Sequence, residues 1–194
     1  QSLPSIMELL ASGQARTLVV RGPQHNGRRT LLGAVARQLG WGLLEIRRTE
    51  TSGVHLFNAE HWKMIGPMAT LLHAVPAIVL DLAPGETGDL PSVQGYNGPV
   101  GIVLGPQGGL RGPNAEQALT VMLDIPDTNA RQWHWKAGLA GHFVRAPELI
   151  SERLRMTSGN IRRIARLACS YAALAGRSDV LLADIQQASR ALHR

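Results

Sequence analysis

Residues 16–30 read RTLVVRGPQHNGRRT. Arg16–Arg21 is a short apolar run closed by Gly22-Pro23, the pattern of a buried strand. Arg28–Leu39 (RRTLLGAVARQL) then carries Leu31, Leu32, Val35, Ala36 and Leu39 at helical spacing, and Gly40 ends it. A strand, a glycine turn and a helix in that order point successive backbone N–H groups at an anion, at the positive end of the helix.

The turn has the outline of the phosphate-binding pattern G-x-x-x-x-G-K-[ST]. Gly22 and Gly27 take the two glycine places, with Pro23, Gln24, His25 and Asn26 between them. Arg28 stands where lysine reaches the phosphates, and Arg29 where a hydroxyl holds magnesium. Thr30 comes one residue late, and one helical step turns a side chain by about 100°, so it cannot simply replace that ligand. Arg28 keeps the charge, but its planar fork is bulkier than a compact ammonium. An ordinary glycine-rich turn between strand and helix explains the same residues. His25 is placed to hydrogen-bond a phosphate or, more blandly, to face solvent.

Further strand patterns fall at Gly42–Ile46, Ala77–Asp81, Val100–Leu104 and Leu119–Asp124. Asn58–Ala74 is a helical pattern with Gly66-Pro67 inside it, hence a kink or break. Residues 83–99 are rich in Gly and Pro and read as irregular. After Pro126 only helices are expected, at Asp127–Ala140, Pro147–Met156, Asn160–Ala175 and Leu182–Leu192. Asp127, Ser158 and Asp179 are start signals; Gly141 and Gly176 are stops. The expected fold is therefore α/β: a five-stranded, mainly parallel sheet flanked by helices over residues 1–126, then a small four-helix subdomain over 127–194. Such sheets bind ligands at the carboxyl ends of their strands. Gly22–Thr30, Asp81 and Gly105–Gly109 all fall there.

The chain has 194 residues, 44% of them hydrophobic, and a mean hydropathy of -0.03, as for a globular chain with a real core. No apolar stretch approaches the roughly 18 residues of a membrane span. The N-terminal QSLPSIMELLASGQ reads as an amphipathic helix rather than an export signal, and the missing initiator methionine suggests a piece of a longer chain. One cysteine, Cys169, excludes a disulfide framework and is expected to be buried and inert, which fits a reducing, cytoplasmic setting. Twenty Lys+Arg against 14 Asp+Glu give a formal charge of +6, nearly all of the positive charge arginine. Arginine suits phosphate and carboxylate recognition; an arginine-rich codon usage explains it equally well.

The order of these parts resembles an AAA+ ATPase module. GPQHNGRRT is similar to the GPPGTGKT opening of that family. AIVLDL supplies Asp81 at the magnesium-linked position, but Leu82 replaces the glutamate that polarises the attacking water. In GIVLGPQGG, Gln107 is the polar candidate for the first sensor. IPDTNARQWHW, Ile125–Trp135, resembles the link into the family's helical lid, with Arg131 before an aromatic pair. TSGNIRRIA resembles the second sensor motif, whose arginine reaches the γ-phosphate; Arg162 fits best and Arg163 is next to it. HWKMIGPMATLLHAVPAIVLDLAPGE and SGNIRRIA also look like AAA+ proteins encoded with contractile, phage-tail-like injection systems, where a degenerate module can precede an intact one.

The resemblance implies a nucleotide site made by Gly22, Pro23, Gln24, His25, Asn26, Gly27, Arg28, Arg29, Thr30, Gln107 and Arg162, with Asp81 as the remnant catalytic residue. ATP or ADP is the implied ligand, with magnesium weak or absent. The implied partners are a second AAA+ module or neighbouring AAA+ subunits, and a protein substrate or adaptor, with no membrane. Hydrolysis in that family needs magnesium, a polarising carboxylate and a neighbour's arginine finger. With Leu82 in place, turnover is expected to be slow or absent, leaving a structural or regulatory module. The alternative is an active ATPase with unconventional ligands, Thr30 with Glu86 or Asp89. A third reading is a basic nucleic-acid binder, from arginines at 153, 155, 162, 163 and 166; no aromatic stacking platform accompanies them. Arg111 is either a finger or a solvated loop residue. His55 and His61 lack a third ligand, so no zinc site is expected. Trp133 and Trp135 lie on different helix faces, one for the core and one for a neighbouring domain.

Overall fold

A computed structural model of the chain describes residues 3–47, 59–90, 92–139, 142 and 154–192. They fall into two compact units, the first made of Gln1–Gly22 and Arg28–Leu123, the second of Pro23–Gly27 and Asp124–Arg194.

The first unit contains α1 (Leu3–Ala11), β1 (Thr17–Arg21), α2 (Arg28–Gln38), β2 (Gly42–Arg47), α3 (Ala59–Leu71), β3 (Ala74–Val79), β4 (Thr87–Asp89), β5 (Val100–Leu104), β6 (Gly109–Arg111), α4 (Pro113–Glu116) and β7 (Leu119–Met122). Five strands form one parallel sheet in the order β2-β3-β5-β1-β7. Parallel neighbours need long crossovers, and the crossover helices cover both faces. The period-two pattern of TLVV divides accordingly. Leu18 and Val20 join Ile6, Leu10, Leu32 and Val35 of α1 and α2, while Val19 joins Ile78, Ile102 and Leu104 against Trp62 and Ile65 of α3.

Several sequence expectations are corrected. The third strand is Ala74–Val79, not Ala77–Asp81, so Asp81 lies two residues beyond it. The last strand ends at Met122. Helix α3 runs unbroken through Gly66-Pro67 and stops at Leu71, so Ala74 belongs to the sheet. Pro67 is exposed, away from the buried face that Trp62, Ile65 and Ala69 supply. Residues 83–99 are not wholly irregular: β4 pairs in parallel with β6 as a separate two-stranded ribbon. That pairing is too short to show as periodicity.

Gly66 is where α3 meets residues 92–96. A Cβ there would fall 1.8 Å from the carbonyl oxygen of Gln94. Thr70 Oγ1 donates to the Gly95 carbonyl at 3.1 Å, and Trp62 Nε1 to that of Ser92 at 3.1 Å.

The second unit holds α5 (Thr128–Gly138), α6 (Ser158–Leu174) and α7 (Leu182–Leu192). Asp127 caps α5, as its sequence position suggests, accepting from the Ala130 N–H at 2.7 Å. Helix α6 begins two residues before Asn160, at the start signal Ser158, and α7 spans Leu182–Leu192 as expected. Most of the expected helix Pro147–Met156 lies outside the described residues, and Leu154–Thr157 are not helical. Ile161, Ile164, Ala165, Ala168 and Ala172 form the buried stripe of α6 and pack with Trp135, Leu139, Val180, Ile185 and Ala188. Trp135 is fully buried and Trp133 is 61% exposed, so the two faces separate as expected. Cys169 is half-buried, with Sγ 3.7 Å from His142 Nδ1, and burial pushes its thiol up. At the start of α7, Asp184 accepts from the Leu181 N–H at 2.8 Å and from both terminal nitrogens of Arg177 at 2.8 and 3.0 Å.

Gly66→Ala should lower stability by about 3 kcal/mol, because backbone rather than a flexible side chain must give way; urea unfolding measures it. The hydrogen bonds from Arg177, ahead of that from the Leu181 N–H, hold the Asp184 carboxyl below its ordinary value. A depressed folded value contributes stability above the unfolded pKa of about 3.9, lost as pH falls through the folded value. Asp184→Asn should therefore lower Tm at pH 7 and flatten its fall below about pH 4.

Candidate phosphate-binding site

In the sheet order, β1 leaves across β5 and β3 to reach β2, while β5 leaves across β1 to reach β7. Adjacent strands with oppositely directed exits define the switch point of an open parallel sheet, and their carboxyl ends border the crevice where ligands bind. Here those ends are Arg21 and Leu104.

The first glycine is required by close approach. Gly22 has φ 149°, and a Cβ on it would lie 2.4 Å from the Leu123 carbonyl oxygen. Leu123 in turn donates its N–H to the Arg21 carbonyl at 2.8 Å. Gly27 and His25 are left-handed, at φ 79° and 59°. Glycine takes that conformation without strain; histidine does so at a cost of about 1–2 kcal/mol.

Arg28 opens α2, and its Nη1 donates to the Leu104 carbonyl at 2.6 Å, across the switch point. Burial lowers its pKa, the charge of Asp81 opposes this, and the charge of Arg29 adds to it. Arg29 pairs with Glu45 of β2 at 3.5 Å, and Arg21 Nη1 donates to the Gly108 carbonyl at 2.9 Å. Two arginines thus open a helix whose N-terminus already carries about half a positive charge. Of the expected site residues, Arg28 and Asp81 are brought together electrostatically. Gln107 and Thr30 are exposed.

The residue after Asp81 does not face that edge. Leu82 is buried in the cluster with Leu80, Leu90, Val93 and Trp62. A Cβ on Gly108 would come within 2.7 Å of the Leu82 Cβ. The two other carboxylates of this region are engaged locally: Glu86 Oε2 accepts from the Ala83 N–H at 2.8 Å, and Asp89 lies 3.9 Å from Arg111 Nε. Arg29 stands at the place the pattern gives to a hydroxyl, Thr30 is exposed, and among the described residues no three His, Cys, Asp or Glu cluster.

The middle of the loop belongs to the second unit. Asn26 is buried there, 7% exposed. Its Nδ2 donates to the Asp124 carbonyl at 2.6 Å, and its Oδ1 accepts from the Ser158 N–H at 3.4 Å. The Gly159 N–H donates to the His25 carbonyl at 2.7 Å, and a Cβ on Gly159 would lie 2.4 Å from that oxygen. Two of the N–H groups that open α6, left without helical partners, are thus satisfied by the loop. Thr157, although it precedes the helix, makes no side-chain cap. Arg162 lies one turn further on and is exposed; burial and the Arg162 charge together lower the pKa of His134 on α5. Arg131 folds back onto its own helix, donating to the Pro126 carbonyl at 2.7 Å and Thr128 Oγ1 at 3.1 Å.

Sequence reasoning named Asn26 and Gly27 as loop residues but missed what Asn26 and Gly159 do for α6. The only signal was the short SGN run, in which glycine inside a helix start marks a close approach. The chain matches no protein-family model and no curated protein. Among the described residues no helix is long and apolar enough to cross a membrane.

Asn26→Ala should cost about 1–3 kcal/mol, leaving the Ser158 N–H and Asp124 carbonyl without their side-chain partner. Gly159→Ala should cost at least as much, through collision with backbone. Hydrogen exchange should then rise selectively in the first turn of α6; unchanged protection at Gly159 would contradict the bond.

Proposed function

We propose that the chain is a degenerate AAA+-type module. It binds a nucleotide phosphate at the turn after β1, hydrolyses it very slowly or not at all, and serves as a structural or regulatory part of a larger AAA+ assembly. One observation carries the reading: Arg28 reaches the last carbonyl of β5 at the sheet's switch point and feels the charge of Asp81, while the next residue, Leu82, is spent on the core. The N-terminal backbone N–H groups of α2, with Arg28 and Arg29, would hold the anion. Arg28 supplies a fixed cation that needs no metal. A general base for water typically contributes 10²-fold or more, and Leu82 stands where the resemblance puts that carboxylate.

In this reading the partners are neighbouring AAA+ subunits or a second AAA+ module in the same chain, with a protein substrate or adaptor beyond them. The setting is the cytoplasm. The likeness to modules of contractile injection systems rests on residues 61–86 and 158–165. Turnover by Thr30 with Glu86 or Asp89 is the alternative; Glu86 accepts from the Ala83 N–H, and Asp89 is exposed beside Arg111. Arg155, Arg162, Arg163 and Arg166 are exposed, so DNA binding is the competing reading.

Calorimetric titration with ATP and ADP, with and without magnesium, tests the proposal alongside phosphate release. We expect binding that magnesium does not strengthen, turnover below about one per minute against ordinary enzyme rates of 1–10³ s⁻¹, and affinity about tenfold weaker in Arg28→Ala. Faster turnover abolished by Asp81→Ala would refute the degenerate reading. No heat with either nucleotide removes the ligand and leaves only a scaffold. A steeply salt-dependent shift with DNA would favour the basic-face reading.

A further inference from the structure

At the other end of the sheet from Arg28 and Asp81, where the chain enters β2, β3 and β5, lies a cavity of about 350 Å³. That volume is at the lower end of the range for small-ligand sites. Its walls are Trp41, His73, Tyr96, Thr70, Asn97 and the backbone of Gly95 and Gly98. No Lys, Arg, Asp or Glu lines it.

Three features give the cavity a definite chemical preference. The first is its aromatic walls. The rings of Trp41 and His73 stack at 4.3 Å with 24° between planes, and Tyr96 stands edge-on to Trp41 at 6.0 Å and 87°. The Tyr96 hydroxyl is turned into the protein, within 3.2 and 3.1 Å of the Ala74 and Pro99 carbonyls. Burial pushes that phenol well above its ordinary pKa, so it stays neutral. Ring faces carry negative charge density and attract cations, most strongly for Trp.

The second is the direction of the helices. Both α2 and α3 end here. Gly40, at φ 77°, closes α2, with the Gly40 and Trp41 N–H groups donating to the Arg37 and Ala36 carbonyls. His73 closes α3, its N–H donating to the Thr70 carbonyl. Each helix C-terminus carries about half a negative charge, which favours a cation within the last turn.

The third is strain. His73 holds φ 48°, where glycine is the usual cap residue. Strained backbone of this kind persists where the surroundings over-determine it, and it concentrates at binding sites. What the side chain gains here is the stack on Trp41. Near in sequence to the lining residues Thr70 and His73, Met68 (43%) and Leu71 (86%) of α3 and the following Leu72 (56%) are exposed, apolar surface for whatever carries the cation.

We propose that this aromatic cavity, formed where α2 and α3 end, binds the guanidinium group of an arginine side chain presented by a partner polypeptide. The flat guanidinium stacks on aromatic faces and is weakly hydrated, so it suits a shallow aromatic wall better than an ammonium does. Met68, Leu71 and Leu72 then cover the residues flanking that arginine. The site is independent of the phosphate-binding reading.

Titration of the ¹⁵N-labelled chain with acetyl-arginine amide tests this, with the indole signals of the four tryptophans assigned by single Trp→Phe variants. The Trp41 indole and the amides of residues 70–73 and 95–98 should move. The citrulline analogue, of the same shape without the charge, should bind at least about tenfold more weakly. His73→Gly should raise Tm, because glycine suits the left-handed cap, yet weaken arginine binding about tenfold. A stationary Trp41 signal overturns the proposal. So does equal binding of citrulline, or unchanged affinity in His73→Gly. Binding of tetramethylammonium or a lysine amide in preference to arginine overturns the guanidinium assignment.

Discussion

Parallel strands cannot be joined by a tight turn, and that constraint organises the first unit. Each connection must cross the sheet and return, so the strands bury both faces and their two ends become chemically unlike. At one end of the strands stand Gly22, Arg28, Asp81 and Gly108. Trp41, His73 and Tyr96 stand at the other. The exits of β1 and β5 diverge, and the side chain that spans the divergence is Arg28, anchored on the last carbonyl of β5.

The sheet was legible in the sequence because its signals are local and repeated. TLVV, GLLEI and VGIVL are apolar runs bounded by turn residues, and RRTLLGAVARQL has one helical period and a glycine stop. What was not legible depended on distant partners. Pro67 looked like a break, but the side of α3 it occupies is decided by where Trp62 and Ile65 are buried. Ala74 looked like the end of a helix and is the start of β3, because Gly42 pairs with it. The β4–β6 ribbon is three residues long on each side and has no period to detect.

The site divides the same way. The glycines were readable because only glycine tolerates φ 149° against the Leu123 carbonyl, or a left-handed turn at Gly27 without strain. The arginines were readable as charge. Their partners were not: the Leu104 carbonyl lies 76 residues from Arg28 in sequence, and the Ser158 amide 132 from Asn26. Asn26 illustrates the limit most plainly. As a letter it is one of four loop residues between two glycines; as a buried amide it joins the start of α6 to the segment that leads into α5.

The burial of Leu82 decides what its position can accept. A leucine on the surface can be exchanged for a charged residue at little cost. This one lies among Leu80, Leu90 and Val93, against a backbone left bare at Gly108. A carboxylate substituted there would enter an apolar cluster, a costly burial. Placing a charged group at this position would require the neighbourhood to be rebuilt around it, so packing itself fixes an apolar residue here.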